Sequence, residues 1–150
     1  IEASFYSVES NEDWAAKITK QLKFLDLETY VTIIHAPIQS IHESFALGKQ
    51  KLWYDMEVLD KQFEFIPLID LVLVDGPFGG LTPHARYTAV PYLKNKLASN
   101  CSVFLDDIKR EEELRILKTW EVTLNCKAQI IERYALFGLN ELFNSKPFKL

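Results

Sequence analysis

Apolar positions recur along this chain in two rhythms, short unbroken runs and a beat of three to four residues. Ile69-Asp70-Leu71-Val72-Leu73-Val74 and Cys101-Ser102-Val103-Phe104-Leu105 are runs with little polar alternation, the habit of strands buried on both faces of a parallel sheet. Each runs into carboxylates, the first at Asp75-Gly76-Pro77 and the second at Asp106-Asp107. Phe5 to Val8 reads as a shorter strand stopped at Glu9, and the segment opening at Ile1 is already strand-like. Tyr30 to His35 is rich in β-branched residues and ends at Ala36-Pro37, where proline removes an amide and restricts its predecessor.

The slower beat marks helices. Trp14, Ile18, Leu22 and Leu25 form one apolar stripe after Ser10-Asn11-Glu12-Asp13, where Ser10 or Asn11 can cap and the acids suit the macrodipole. This helix is expected to pack on a sheet, with Trp14 as a core anchor. Residues 39–62 carry a weaker signal, in which Trp53 to Met56 followed by Leu59 and Phe63 fits a short helix. Thr82-Pro83 supplies a capping hydroxyl and a first-turn proline for a helix from His84 to Leu97, kinked or restarted at Pro91. Another helix runs from Glu111 through Leu114, Leu117 and Trp120, with Trp120 in the core. Lys109-Arg110 and Glu111-Glu112-Glu113 read as its solvated face. Ala128 to Tyr134 and Leu136 to Phe143 are near enough to pair antiparallel.

The alternation predicts an α/β fold, a doubly wound, mostly parallel Rossmann-like sheet with right-handed crossovers and a C-terminal antiparallel hairpin. In such sheets ligands bind beyond the carboxyl ends of the strands, so the acids there are placed to share a cation or position a substrate. At 150 residues the chain has the length of a single domain. A net charge of -4 and a pI near 5.4 argue against nucleic acid as a partner. No run is long enough for a membrane span, and a cytoplasmic location is the default expectation. Cys101 and Cys126 lack a CxxC spacing and read as buried free thiols.

Three stretches, Tyr6-Ser7-Val8-Glu9-Ser10-Asn11-Glu12-Asp13-Trp14, Asp70 to Pro77, and Arg86-Tyr87 through Val103-Phe104-Leu105-Asp106-Asp107, resemble in order and spacing the class I S-adenosylmethionine-dependent methyltransferases. The resemblance runs from that family's second strand to its closing hairpin. It implies that Glu9 accepts hydrogen bonds from the cofactor's two ribose hydroxyls, a task suited to a carboxylate with two acceptor oxygens. It places Ala36 and Pro37 against the adenine, and Asp75 at the cofactor and the reacting centre. In the divalent-cation-dependent O-methyltransferases of the family, the positions of Asp75, Asp106 and Asp107 hold magnesium, which activates an acceptor hydroxyl. Arg86 and Tyr87 fall where a small-molecule substrate enters.

The likeness has departures. The catechol-type enzymes commonly carry a lysine three residues after the fourth-strand acid, where this chain has Phe78, which leaves His84, Lys109 or Arg110 to serve as a base near that rim. The family's first strand and glycine-rich turn have no counterpart. A sheet without that central member would leave edges unpaired, so a segment upstream of Ile1, or a strand from a neighbouring subunit in a homo-oligomer, is expected to fill the gap. Two functions follow as expectations: O-methylation of a small molecule, with magnesium as an optional aid, or a catalytically inert domain of the same fold that binds a partner.

Overall fold

The computed structural model describes residues 3–139. The fold is mixed α/β, with four α-helices and three small sheets among the described residues. The chain divides into two compact units, one formed by the segment up to Ile41 with Leu52–Ile66, the other by His42–Lys51 with the chain from Pro67 onward.

In the first unit β1 (Phe5–Glu9) lies parallel to β2 (Val31–His35), in a register that sets Phe5 against Val31 and Glu9 against His35. The crossover between them is α1 (Glu12–Phe24). Asn11 is its cap, Oδ1 accepting from the Trp14 backbone N–H at 2.8 Å, so of the two capping candidates the asparagine does the work. Only Ala15 of this helix is buried; Trp14 is 51% exposed and Leu25 59%. The expected core role of Trp14 is therefore corrected. Its ring carries the Lys17 ammonium 4.4 Å from the centroid, a contact open to solvent.

Past Pro37 the chain forms a ladder that the sequence pattern did not reveal, β3 (Ile38–Ser40) antiparallel to β4 (Leu52–Tyr54). Trp53 and Tyr54 thus belong to a strand, and the short helix begins after them as α2 (Met56–Phe63). Asp55 caps it by accepting from Glu57 N at 2.9 Å and Val58 N at 3.2 Å, while Leu59 and Phe63, four residues apart, turn inward.

The second unit holds a four-stranded mixed sheet in the order β5-β6-β8-β7, with β5 Ile69–Val74, β6 Leu97–Leu105, β7 Gln129–Ile131 and β8 Tyr134–Gly138. β5 and β6 are parallel, with Val74 opposite Leu105, and β8 runs antiparallel to both β6 and β7. The terminal hairpin therefore exists, shorter than expected; the part assigned to residues 140–143 lies outside the described residues. The inward-facing Val72, Val74, Val103, Leu105, Ala135 and Phe137 are all buried. α4 (Glu111–Thr123) brings Ile116, Leu117 and Trp120 to the core. Trp120 is fully buried, edge-on to Phe137 at 6.0 Å, and donates from Nε1 to the Tyr87 carbonyl at 3.0 Å. Each such large side chain contributes about 1.5–3 kcal/mol by leaving water.

The helix expected over His84–Leu97 is corrected most strongly. Residues 83–88 are turns, α3 covers only Ala89–Leu93, and a single 3-10 turn, Lys94–Lys96, leads into β6. His84 has a left-handed φ of 56°, which no helix accommodates. Pro91 then falls in the first turn of α3, where an amide hydrogen has no helical partner to lose.

Among the described residues β1 and β5 belong to separate sheets and share no hydrogen-bond ladder. Each is an outer strand with apolar side chains in solvent, Phe5 at 55% exposure and Leu73 at 69%. No helix among the described residues is long and apolar enough to cross a membrane.

Candidate functional site

The acids at the ends of β5 and β6 are brought together by strand pairing. With Val74 opposite Leu105 in parallel register, Asp75 and Asp106 leave adjacent strand tips, and the Asp106 N–H donates to the Val74 carbonyl at 3.1 Å. Asp107 adopts a left-handed φ of 60°, its N–H held by Asp106 Oδ1 at 2.8 Å. One carboxylate oxygen from each of Asp75, Asp106 and Asp107 lies within 4.8 Å of the others.

Into this cluster comes Arg86, from the turn after the glycine loop. Its side chain is 5% exposed. Nη2 donates to Asp75 Oδ1 at 2.9 Å and to Asp107 Oδ2 at 3.2 Å, Nη1 donates to the Asp106 carbonyl at 3.1 Å, and Glu113 Oε1 lies 3.8 Å from Nη1. Two more arginines complete the array. Arg110 pairs with Asp107 Oδ2 at 3.0 Å, and Arg133 chelates Asp106, with Nε on Oδ1 at 2.9 Å and Nη2 on Oδ2. The Arg133 hydrogen bonds hold the Asp106 carboxyl below the usual carboxylate range, because protonation would sacrifice a charge-assisted pair.

Two expectations change here. Arg86, expected at a helix start facing substrate, is buried and its outer nitrogens are committed to acids. Glu113, expected on a solvated face, is 3% exposed and completes the countercharge, as a buried guanidinium requires. Arg133 was not singled out by sequence, since ion pairing across 27 residues leaves no local trace.

The remaining candidates sit elsewhere. His84 is buried, its N–H donating to Glu112 Oε2 at 2.9 Å and its Nδ1 without a hydrogen-bond partner among the described residues. A β-carbon placed on Gly48 would lie 3.7 Å from the His84 ring and 3.9 Å from Arg115, so His84 neighbours the 42–51 segment; neither its hydrogen bonds nor its ion pairs reach the aspartates. Tyr87 is half-buried, which raises its phenol pKa, and its carbonyl is the acceptor for Trp120. Phe78, at the place of the missing lysine, is 80% exposed beside Gly79 and Gly80. With Arg110 and Glu111 to Glu113 these three residues line a hollow of about 390 Å³.

In the other unit, Glu9 ends β1. Its Oε1 accepts from Asn11 N at 2.8 Å and lies 3.5 Å from Ser10 Oγ, while its carbonyl accepts from Ala36 N at 2.9 Å. Ala36 has no exposed surface, and Pro37 beside it is half-buried, its carbonyl accepting from Asp55 N at 2.8 Å. His35 reaches the Ser10 carbonyl from Nε2 at 3.3 Å, a structural contact.

No protein-family model matches the chain, and no curated protein matches it either.

Proposed function

We propose that this chain is a class I methyltransferase-type domain that binds S-adenosylmethionine and methylates a hydroxyl of a small molecule. The observation that carries the reading is the placement of acids at the carboxyl tips of parallel strands, Glu9 on β1 and Asp75 beside Asp106 on β5 and β6. Glu9 keeps Oε2 for the ribose hydroxyls while Oε1 is held by the turn into α1, so the carboxylate is oriented before ligand arrives. Pro37 offers an apolar surface to the base. Asp75, with its side chain 72% exposed and only Oδ1 paired among the described residues, is free to accept a hydrogen bond from cofactor or acceptor. The hollow beside Phe78 is a suitable size for an aromatic acceptor. The cofactor, when bound, would supply the methyl group, and Asp75 would orient the acceptor hydroxyl.

Magnesium does not fit the aspartates as they stand. Both oxygens of Asp106 are engaged by Arg133, and Arg86 bridges Asp75 and Asp107. No step is therefore routed through a metal. An inert binding domain is the second reading, favoured by Phe78 standing where a base is expected and by the absence of any hydrogen bond from His84 to the aspartates among the described residues.

Isothermal titration calorimetry of the protein with S-adenosylmethionine and with its demethylated product tests the proposal. Binding of both, lost by about tenfold or more in Glu9→Ala, as deletion of a charged hydrogen-bond acceptor implies, is the expected result. Absence of heat with either ligand would refute cofactor binding, and unchanged affinity in Glu9→Ala would remove the ribose assignment.

A further inference from the structure

The acid cluster raises a question that cofactor binding does not answer: what holds three carboxylates within 4.8 Å of one another. Like charges so close repel unless a cation lies among them. Arg86 is that cation by position. Its two outer nitrogens touch both strand-tip loops, Asp75 after β5 and Asp107 with the Asp106 carbonyl after β6, and approach Glu113 on α4. Four groups from three elements thus converge on one buried guanidinium, as oxygen ligands converge on a hard dication. The fork geometry of arginine permits this, since each outer nitrogen carries two donors in a fixed plane. Fusing these contacts into the chain also fixes Arg86 to the turn of residues 83–88, and Trp120 pins that turn to α4 through the Tyr87 carbonyl.

We propose that Arg86 is a built-in substitute for a divalent cation, a positioning residue that locks the tips of β5 and β6 to α4 and makes this cluster indifferent to metal ions. Arg133, 62% exposed on the hairpin turn, closes the outer side of the same cluster by covering Asp106. The inference goes beyond methyl transfer and holds or fails without it, because its readouts are metal binding and unfolding.

The experiment is a titration with Mn2+, followed by paramagnetic resonance, on the wild type, Arg86→Ala and Arg86→Lys, with thermal unfolding in the presence and absence of millimolar Mn2+. The wild type should bind Mn2+ no more tightly than about 1 mM, the loose end of natural oxygen-ligand sites. Arg86→Ala should bind at least about tenfold more tightly, because a positive charge about 5 Å from the ion has gone, and Mn2+ should restore part of its lost unfolding midpoint. Arg86→Lys, which keeps the charge, should remain blind to the metal. Saturable tight binding by the wild type, or no gain in a folded Arg86→Ala, overturns the proposal. Asp75→Asn, on an exposed side chain, covers the case in which Arg86→Ala does not fold. Its midpoint should drop equally with and without Mn2+, and a drop seen only with Mn2+ would mean that an ion, not the guanidinium, uses Asp75.

Discussion

Replacing Trp120 by phenylalanine tests whether the turn that carries Arg86 is held from below by α4. The indole is fully buried, meets Phe137 edge-on at 6.0 Å, and donates from Nε1 to the Tyr87 carbonyl at 3.0 Å. Phenylalanine removes the donor and leaves that carbonyl without it, a loss of about 1–3 kcal/mol for a buried polar group. The missing part of the bicycle adds a cavity term of about 1 kcal/mol, at the low end for truncation in a packed core. The sum, about 2–4 kcal/mol, corresponds to a fall in unfolding midpoint of roughly 4–16 °C at about 2–4 °C per kcal/mol for a chain of this length. Urea unfolding followed by circular dichroism avoids dependence on tryptophan emission and yields the free energy with its slope. Trp14→Phe is the internal control. With the ring 51% exposed and contacting Lys17, it should change stability by no more than about 0.5 kcal/mol. A Trp120→Phe loss below about 1 kcal/mol, or equal losses at the two positions, would refute the view that this indole anchors the turn.

Acid should weaken the cluster in a defined direction. Since the Asp106 carboxyl is held below the usual range by Arg133, its contribution is fully present above the unfolded carboxylate value of about 3.9 and is lost as pH falls through the folded value; Asp106→Asn should flatten urea midpoints measured across that acidic window, and an unchanged pH profile would refute it. Thiol labelling should separate the two cysteines. Burial pushes the Cys101 thiol up to about 11 and also raises Cys126, but only Cys101 has no exposed surface, so in native protein Cys126 should react slowly with an aromatic disulfide and Cys101 only on unfolding. Simultaneous reaction of both would contradict the packing of β6.

Much of the fold was legible where local signals were strong. The runs ending at Val74 and Leu105 became adjacent parallel strands, and their acids met because register is fixed by the same apolar pattern. The hairpin β7–β8 and the helix from Glu111 were readable for similar reasons. The three-residue strands β3 and β4 were not, because Ile38–Ser40 and Leu52–Tyr54 are too short to display a period of two. Thr82-Pro83 suggested a helix start, yet the left-handed His84 shows tertiary contacts overriding that local preference. Trp14 sat at helical spacing with Ile18 and Leu22, but periodicity shows which residues share a face and not whether anything covers it. Arg86 looked like a rim residue because its partners, Asp75, Asp107 and Glu113, are gathered only by folding.

The segment His42–Lys51 shows how synthesis and folding must interleave. It leaves β3 and returns to β4, yet its anchors are distant in sequence: Gln50 Nε2 donates to Thr88 Oγ1 at 2.8 Å across 38 residues, and Lys51 N donates to Thr82 Oγ1 at 3.1 Å. At about 5–20 residues per second on the ribosome, the excursion waits roughly 2–8 s for its anchors to be made. During that interval the β3–β4 ladder can zip while its tip dangles, so the nascent chain offers a protease or chaperone a loop that the finished molecule has fastened down.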